Sequence, residues 1–366
     1  MGRIYTALGL MSGTSMDGVD ASIIRSDGNS KYTLLFDKYF EYEDKIRQNL
    51  INLRYKVSEP RDLIENTEEI KFLEKQITIF HAKAVKHILE EFNVKLDLIG
   101  FHGQTLFHDS DKKITKQIGD GKLLSQMTKN LVVYDFRQND IKNGGEGAPL
   151  SPIYHRLIIK SLKDKEKIKL PIKILNIGGI ANITIINKDL DISSRDIGPG
   201  NCMIDKWISS NSKKKYDENG NIGKSGKVDK FLYDQFIDNF FEQKTFDKKS
   251  LDVNDFDISF ARGLSIENGA ATITEITAEI LSKNILENDI FVCGGGRKNS
   301  YLIQRLQDKT HNIIKNIDCL GIDGSFVESQ AFAYLAIRSF LKLPISFPNT
   351  TGCKKPCTGG TLVKNF

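Results

Sequence analysis

Two stretches of the chain show the same alternation of apolar and polar segments. Each stretch opens with three short runs rich in β-branched and aromatic residues, and a glycine-containing turn separates the first run from the second. Runs of this kind, bounded by turn residues, predict strands. The six predicted strands cover residues 3–10, 19–26, 32–42, 172–177, 181–186 and 191–196. The repeated order predicts two copies of one structural unit.

Apolar residues recur every three or four positions in the segments between these strands, which predicts helices. The predicted helices cover residues 43–54, 60–94, 152–163, 229–242, 266–284, 299–308 and 325–342, and another begins near Cys202. Further short strands are expected at 96–101, 114–118, 131–134 and 289–293. The predicted fold class is therefore α/β, with two similar lobes that each hold a mixed sheet flanked by helices. Because ligands often bind at domain interfaces, we expect a cleft between the lobes.

A segment rich in glycine and proline, residues 143–152, is the best candidate for a domain junction. We expect an N-terminal lobe over residues 1–145 and a C-terminal lobe over 146–366, with the tail returning to the first lobe. The chain has 366 residues, of which 40% are apolar and 27% charged, and these values agree with two ordinary globular domains.

Charge and cysteine content exclude several classes of function. The formal net charge of +5 is spread along the chain without a basic arm or interleaved aromatic residues, so a nucleic-acid partner is not expected. No apolar run approaches the roughly 18 residues that span a membrane. Cys353 and Cys357 lie four residues apart with no histidine nearby, a spacing that does not predict a zinc site. Five scattered cysteines fit a reducing, cytoplasmic location.

The loop after the first strand is the strongest candidate for ligand chemistry. It combines small and hydroxyl residues with Asp17 and Asp20, and we expect Gly9, Gly13 and Gly18 to allow positive φ and a close approach of the backbone. Backbone N–H groups and hydroxyls suit phosphate oxygens, and carboxylates suit a hydrated Mg²⁺. The sequence predicts either a polyphosphate loop or a glycine-rich hairpin without a ligand.

The second half offers three further candidates. Asp196 follows a predicted strand, where a carboxylate suits a general base, or it caps the next helix. Gly294–Gly296 follow another strand and leave space for a flat base or ribose, or they form a tight turn. Gly178 and Gly179 form a second glycine hairpin, whose alternative is an ordinary turn.

Polar side chains in the first half suit a hydroxyl-rich or carboxylate-bearing ligand. They lie on predicted strand ends or loops, and they are His102, Gln104, Gln117, Asp120, Asp135 and Arg137. Glu328 begins the last predicted helix, where an acidic residue is also favoured by the helix dipole. Each of these residues has a structural alternative as a turn, cap or salt bridge.

Nine sequence blocks together resemble the anhydro-N-acetylmuramic acid kinase family. They span nearly the whole chain in that family's order, and they read MSGTSMDGVD (11–20), HGQT (102–105), QIGDG (117–121), DFR (135–137), GGEGAPLSP (144–152), NIGGIANIT (176–184), DIGPGN (196–201), CGGGRKN (293–299) and ESQAFAYLA (328–336). The resemblance implies an actin–hexokinase-like fold with two lobes, ATP and Mg²⁺ in the cleft, and a role in recycling cell-wall sugars. The implied substrate is 1,6-anhydro-N-acetylmuramic acid, whose ring is opened and whose O6 is phosphorylated.

The resemblance also implies a role for each matching residue. Asp196 is the implied catalytic base, and Asp17 and Asp20 are the implied metal residues, acting through water. The implied nucleotide-binding residues are Gly13, Thr14, Ser15, Met16, Asp17, Gly18, Val19, Asp20, Gly178, Gly179, Gly198, Gly200, Asn201, Gly294, Gly295 and Gly296. The implied sugar-binding residues are His102, Gln104, Thr105, Arg137 and Glu328. The implied partners are the sugar, ATP and, at most, a second copy of the chain in a homodimer.

The chain departs from the family's pattern at three places, which cover four residues. Ile197 stands where threonine is usual, Ser325 stands where aspartate is common, and Arg297-Lys298 is more basic than usual and could contact nucleotide phosphate. Two other hypotheses stay open: a different sugar kinase of the same fold, and an ATP-binding module without catalysis.

Overall fold

The computed structural model describes residues 2–164, 168–242, 251–285 and 289–366. It divides the chain into two compact units: unit 1 comprises Met1–Ile168 and Phe326–Phe366, and unit 2 comprises Lys169–Ser325. The boundary between the two units follows Ile168, whereas we predicted it after residue 145. The reason is that the helix Pro152–Lys163 packs on the helix Val327–Phe340, within unit 1.

Unit 1 is built on a seven-stranded mixed sheet. Its strands are β1 (Tyr5–Ser12), β2 (Gly18–Ser26), β3 (Tyr32–Glu41), β4 (Leu98–Asp109), β5 (Ile114–Ile118), β6 (Val132–Tyr134) and β12 (Thr361–Val363). The order is β12-β6-β4-β1-β2-β3, and β5 pairs with β4. β1, β2 and β3 form an antiparallel meander, and β4 and β6 add to β1 in parallel.

Unit 2 repeats this arrangement in a five-stranded sheet. Its strands are β7 (Ile172–Ile177), β8 (Ile180–Ile186), β9 (Ile192–Pro199), β10 (Asp289–Cys293) and β11 (Ile314–Asn316). The order is β11-β10-β7-β8-β9, again an antiparallel meander to which two parallel strands are added. The prediction of two similar α/β units, each built on a mixed sheet, is confirmed.

Helices cover these sheets. Unit 1 contains α1 (Asp44–Lys56), α2 (Pro60–Glu65), α3 (Thr67–Phe92), α4 (Gly121–Thr128), α5 (Gln138–Lys142), α6 (Pro152–Lys163), α12 (Val327–Phe340) and α13 (Pro348–Thr351). Unit 2 contains α7 (Cys202–Asn211), α8 (Asn221–Ser225), α9 (Lys230–Glu242), α10 (Ile266–Ser282) and α11 (Ser300–Thr310). None of these helices, within the described parts of the chain, has both the length and the apolar character required to cross a membrane.

Each sheet buries one apolar face against helices. In unit 1, the alternate residues Leu8 and Leu10 of β1 pack with Leu73 and Ile77 of α3. α12 covers the opposite face, where Gly9 allows a close approach because a Cβ there would overlap the carbonyl oxygen of Ser329. In unit 2, side chains of β7, β8 and β9 pack on α10 and α7. Burial of these faces is the main favourable contribution to folding.

Two of the predicted strands end too early, and both errors concern residues of the candidate site. The segment 102–105 lies inside β4, because β4 continues beyond β1 and pairs with β5, and Asp196 lies inside β9, because β9 continues to Pro199. The predicted helix 60–94 is interrupted at Asn66, which separates α2 from α3. Residues 165–167, between α6 and β7, lie outside the described residues.

Candidate active site

The loop between β1 and β2 is held from below by buried polar side chains. The Ser12 hydroxyl shares its one proton between the carbonyl oxygen of Gly18 (2.9 Å) and Oε1 of Gln104 (2.7 Å), and it accepts from the Tyr42 hydroxyl (3.0 Å). Nε2 of Gln104 donates to the carbonyl oxygen of Gly13 (2.9 Å). Gln104 is completely buried, so its amide positions the loop. Ser12 and Gln104 stand in sequence blocks already singled out, but sequence reasoning missed their contact and the part of Tyr42, because these residues come from separate strands and a following loop.

The loop exposes only part of the segment implied to bind nucleotide. Thr14 and Ser15 are exposed, whereas the side chains of Met16 and Val19 are buried in the core of unit 1. Met16 has a φ of 54°, and its N–H donates to the carbonyl oxygen of Gly13 (3.2 Å). A ligand would therefore contact the hydroxyls and the backbone of this loop.

The glycines of the hairpin have a different role from the one we predicted. Gly9, Gly13 and Gly18 do not have positive φ, and the expectation that they do is wrong. Gly18 is required by packing, because a Cβ there would overlap the carbonyl oxygen of Phe40. A Cβ on Gly13 would come no closer than 3.9 Å to another atom, so Gly13 borders open space.

An acidic group lies beside this loop. Asp20 pairs in register with Tyr39 of β3, and burial together with the charges of Asp17, Glu41 and Asp20 raises the pKa of the Tyr39 hydroxyl above its usual range. Asp17 accepts a hydrogen bond from the Ser15 hydroxyl. Three carboxylates that act on one tyrosine create a strongly negative environment, and their oxygen atoms are the ligands that suit Mg²⁺ or its bound waters.

His102, one of the residues implied to bind sugar, packs on Phe332 of α12. His102 is buried, and its ring lies 4.5 Å from that of Phe332. Nδ1 of His102 donates to the carbonyl oxygen of Gly103 (2.8 Å), and Nε2 accepts from Arg137 (2.9 Å). Burial and the nearby guanidinium of Arg137 hold the pKa of His102 well below its usual value, so the ring is neutral. Glu328 lies one turn before Phe332, on the same side of α12.

The remaining candidate residues of unit 1 contact their own chain or are partly buried. Asp120 caps α4 by accepting from the N–H groups of Lys122 and Leu123, which is the structural alternative. The Thr105 hydroxyl accepts from Nε2 of Gln117 (3.2 Å), on the strand paired with it. Asp135 is partly buried, and burial raises the pKa of its carboxyl group.

In unit 2, one face of the meander becomes polar towards one end. The cross-strand rows of this face are Ile172, Ile186 and Ile192; Ile174, Thr184 and Ser194; and Asn176, Asn182 and Asp196. Side chains that share a row lie on the same side of the sheet. Asp196 therefore ends a row of amides and is 8% exposed. Its Oδ2 accepts from the N–H of Leu251 (2.7 Å). The two asparagines stand in the block 176–184, but sequence reasoning gave them no role, since only the register aligns them with Asp196.

A β-bulge places Asp196 in this row. Ala181 faces Gly198 and Asn182 faces Asp196, so Ile197 is an extra residue in β9. Bulges of this kind redirect a side chain and are common beside active sites. Ile197 is 2% exposed and belongs to the apolar core of unit 2. A threonine at this position would place a hydroxyl against that core.

The glycine hairpin of unit 2 binds its own chain. The carbonyl oxygen of Gly178 accepts from the N–H of Asn201 (2.7 Å), and that of Gly179 accepts from the N–H of Gly200 (2.9 Å). Gly198 has a φ of 149° and packs on α10. The N–H groups of Gly200 and Asn201 are thus occupied. Contact with a ligand would have to use the exposed edges of the hairpin or the Asn201 side chain.

The triple glycine has one open position. Gly294 has a φ of 80°, and a Cβ there would overlap Oδ1 of Asn176, while Gly296 packs on Ile177. Gly295 is exposed, and the nearest atom to a Cβ placed on it is Nδ2 of Asn201, at 3.8 Å. Gly295 and the Asn201 amide therefore border the same space, which suits a flat ligand.

Arg297 does not extend towards a ligand. Its guanidinium is 4% exposed and forms ion pairs with Asp318 (3.2 Å) and Asp323 (2.9 Å), and it donates to the carbonyl oxygen of Gly294 (3.2 Å). The N–H of Gly294 donates to the carbonyl oxygen of Gly324 (2.9 Å). The phosphate contact that we considered for Arg297 is not what this geometry favours, because the side chain fixes the glycine turn to the 318–324 segment.

A buried thiol cluster lies in unit 1. Ligand atoms of Asp140, Cys353 and Cys357 lie within 4.8 Å of one another. Asp140 accepts from the N–H of Gly147 (2.7 Å) and from the Thr351 hydroxyl (2.6 Å), and burial raises the pKa of the Cys357 thiol to about 12. Hydrogen bonds from Gly147 and Thr351 thus already occupy the Asp140 carboxylate. All five cysteines lie among the described residues, and no disulfide joins any of them.

Comparison with known proteins gives the family. The family model described as "Anhydro-N-acetylmuramic acid kinase" matches residues 5–365. Proteins named anhydro-N-acetylmuramic acid kinase from Pelagibacter ubique and Agrobacterium fabrum are 53% and 38% identical to this chain, over 100% of each chain. One from Zymomonas mobilis is 40% identical over 97% of this chain and 99% of its own. The chain belongs to the anhydro-N-acetylmuramic acid kinase family.

Proposed function

We propose that this chain uses ATP and water to convert 1,6-anhydro-N-acetylmuramic acid into N-acetylmuramic acid 6-phosphate and ADP. The family match over residues 5–365 carries the proposal. A kinase of this family acts on an anhydro sugar derived from the cell wall, so its role is recycling of peptidoglycan sugars. The order of reaction steps is our proposal, and each residue takes the role that the family resemblance implies, compared with the geometry found within each unit.

Asp196 is the proposed general base. Its carboxylate takes a proton from water, and the water oxygen forms a bond to the anomeric carbon. The bond from that carbon to O6 breaks, and O6 then attacks the γ-phosphorus of ATP while the bond to ADP breaks. One base is enough, because the leaving oxygen of the first step is the nucleophile of the second. General base catalysis contributes typically about 10²–10⁴ in rate.

The β1–β2 loop is the proposed phosphate site. Thr14, Ser15 and the backbone around Gly13 present donors at its open side, and Gln104 fixes the loop from the buried side. Asp17 and Asp20 would hold Mg²⁺, directly or through water, and when bound the ion neutralises charge on the phosphates. In unit 2, the open position at Gly295 beside the Asn201 amide supports a nucleotide role for that turn.

The sugar-binding role that we propose for His102, Arg137 and Glu328 is supported by the contacts of His102 with Phe332 and Arg137, and by the position of Glu328 one turn before Phe332. α12 begins near β2, where the Ser22 and Ser329 hydroxyls are 2.6 Å apart. Its N-terminal end carries a partial positive charge, which favours an anionic group such as the lactyl carboxylate. Neutral His102 accepts from Arg137 and so keeps the guanidinium in a fixed orientation.

The experiment that tests the function combines substrate choice with product mass. ADP release is measured with the anhydro sugar and, separately, with glucose, glycerol and N-acetylglucosamine, and the product is weighed by mass spectrometry. We expect turnover with the anhydro sugar alone, a product heavier by one water and one phosphoryl group, and loss of turnover when EDTA removes Mg²⁺. A product that gains phosphate without water, or equal turnover of another sugar, would contradict the proposal.

Location and assembly are part of the proposal. An enzyme that consumes ATP needs an ATP-containing compartment, which supports the cytoplasm. The homodimer that we predicted stays a prediction, as does the cleft between the lobes.

A further inference from the structure

The row of polar side chains that ends at Asp196 contains an amide oxygen with no partner. Oδ1 of Asn182 is buried and, among the described residues, accepts no hydrogen bond. Leaving a buried acceptor unpaired costs free energy, and such a group in a native protein calls for an explanation. The neighbouring Asn176 oxygen, by contrast, accepts from the Cys293 thiol (3.6 Å).

The identity of the missing partner follows from chemistry. An amide oxygen only accepts hydrogen bonds, so the partner must be a donor. Asn182 faces Asp196 directly across the β8–β9 pair, and cross-strand neighbours have Cβ atoms about 4.5–5.5 Å apart. Two acceptors that share one water, each about 2.8 Å from its oxygen, lie about 4.5 Å apart. Two short side chains at facing positions can therefore share a single water, with one hydrogen directed at each acceptor.

We propose that Asn182 is a second catalytic residue, which holds the attacking water for Asp196. This inference rests on the proposed function. One hydrogen of the water goes to the Asp196 carboxylate, and the other stays on the water while it donates to Oδ1 of Asn182. The oxygen lone pair then points away from both acceptors, towards the anomeric carbon. The retained hydrogen becomes part of the new anomeric hydroxyl, so atoms and charges balance and Asn182 is unchanged.

A role in holding the water explains why residue 182 is an asparagine although its buried, unpaired oxygen costs free energy. A second carboxylate beside Asp196 would repel it, and an apolar residue would leave the water with one partner. A neutral acceptor orients the water without competing for its proton. Geometry of this kind lowers the barrier because the reactants are held before reaction.

The test replaces the amide with an apolar side chain of the same shape. Asn182→Leu removes the unpaired oxygen, so its melting temperature should be equal to or higher than that of the wild type. Its kcat should be at least about tenfold lower, with KM for ATP and for the sugar changed by less than about threefold. If Asn182 had only a structural role, replacing it would not lower kcat while the melting temperature stays equal or rises. Asn182→Ala, which leaves space instead, should show the same loss of kcat.

A matched control lies one row away on the same face. Thr184→Val removes a buried hydroxyl that lies 3.4 Å from the Ser194 hydroxyl, and it should lower the melting temperature without changing kcat. If Asn182→Leu keeps kcat within twofold of the wild type, or raises only KM for the sugar, the inference is wrong while the proposed function stands. If the wild-type protein itself fails to phosphorylate the anhydro sugar, both the inference and the proposed function are wrong.

Discussion

Buried neutral histidines should make unit 1 sensitive to mild acid. Burial lowers the pKa of His81 to about 4 and that of His155 to about 3. The imidazole of His81 donates from Nδ1 to the carbonyl oxygen of Ile77 (2.7 Å), and its Nε2 is buried without a partner among the described residues. A proton on Nε2 would therefore have no acceptor in the folded protein, while the unfolded chain takes it up freely.

The sign and size of the effect follow from linkage. Below the unfolded value of about 6.5 the unfolded chain binds more protons, so the free energy of unfolding falls as the pH falls, and the fall continues until the folded pKa is reached. Each histidine should cost about 1 kcal/mol at about pH 5.5 and about 2 kcal/mol at about pH 5, relative to about pH 8. His102, whose pKa is also held low, adds to the loss.

The assay is urea unfolding at a series of pH values, followed by far-UV circular dichroism. His81→Leu should reduce the loss between about pH 8 and about pH 5.5 by about 1 kcal/mol. Phe101→Leu is the control, because the Phe101 ring packs 4.9 Å from that of His81 and its truncation should lower stability equally at every pH. Trp207, the only tryptophan, lies in unit 2, and its fluorescence reports that unit separately. An unchanged pH dependence in His81→Leu would refute the reasoning.

Three further predictions concern the loops of the site. Gln104→Leu should fold but raise KM for ATP by about tenfold, because the Gly13 carbonyl loses its donor; an unchanged KM would contradict the positioning role. Gly200→Ala should lower the free energy of unfolding of unit 2 by more than about 2 kcal/mol, since its Cβ would overlap the Gly178 carbonyl oxygen, whereas Gly13→Ala, with 3.9 Å of clearance, should melt like the wild type. Arg297→Lys should raise KM for ATP more than it lowers kcat, because a point charge cannot replace the planar contacts that fix the glycine turn; an equal loss in both would indicate a different role.

Local patterns were enough to predict the repeated meander. The strands of both units are short and β-branched, and their turns carry glycines, so the signal lies within about ten residues of sequence. The burial of Gln104 was not predictable, because β4 continues past β1 only when β5 pairs with it, a contact between separate segments. The same holds for Asn182, whose alignment with Asp196 depends on a bulge in β9.

The sequence alone does not separate glycines that packing requires from glycines that leave space for a ligand. Composition alone suggests ligand contact at every glycine of the 13–20 and 294–296 segments. The structure shows that Gly18, Gly294 and Gly296 are required by packing, and only Gly13 and Gly295 border open space. Arg297 was expected to face a phosphate, yet two acidic residues more than twenty positions later in the chain neutralise it. Such long-range pairings are set by the fold.

The most direct test of the central claim is the turnover of Asp196→Asn. This variant keeps the shape of the side chain and removes the base, so it should fold and bind ATP like the wild type, by circular dichroism and calorimetric titration. Its kcat with the anhydro sugar should fall by about 10³ or more. A kcat within about tenfold of the wild-type value, with folding and ATP binding intact, would show that the carboxylate of residue 196 is not the base.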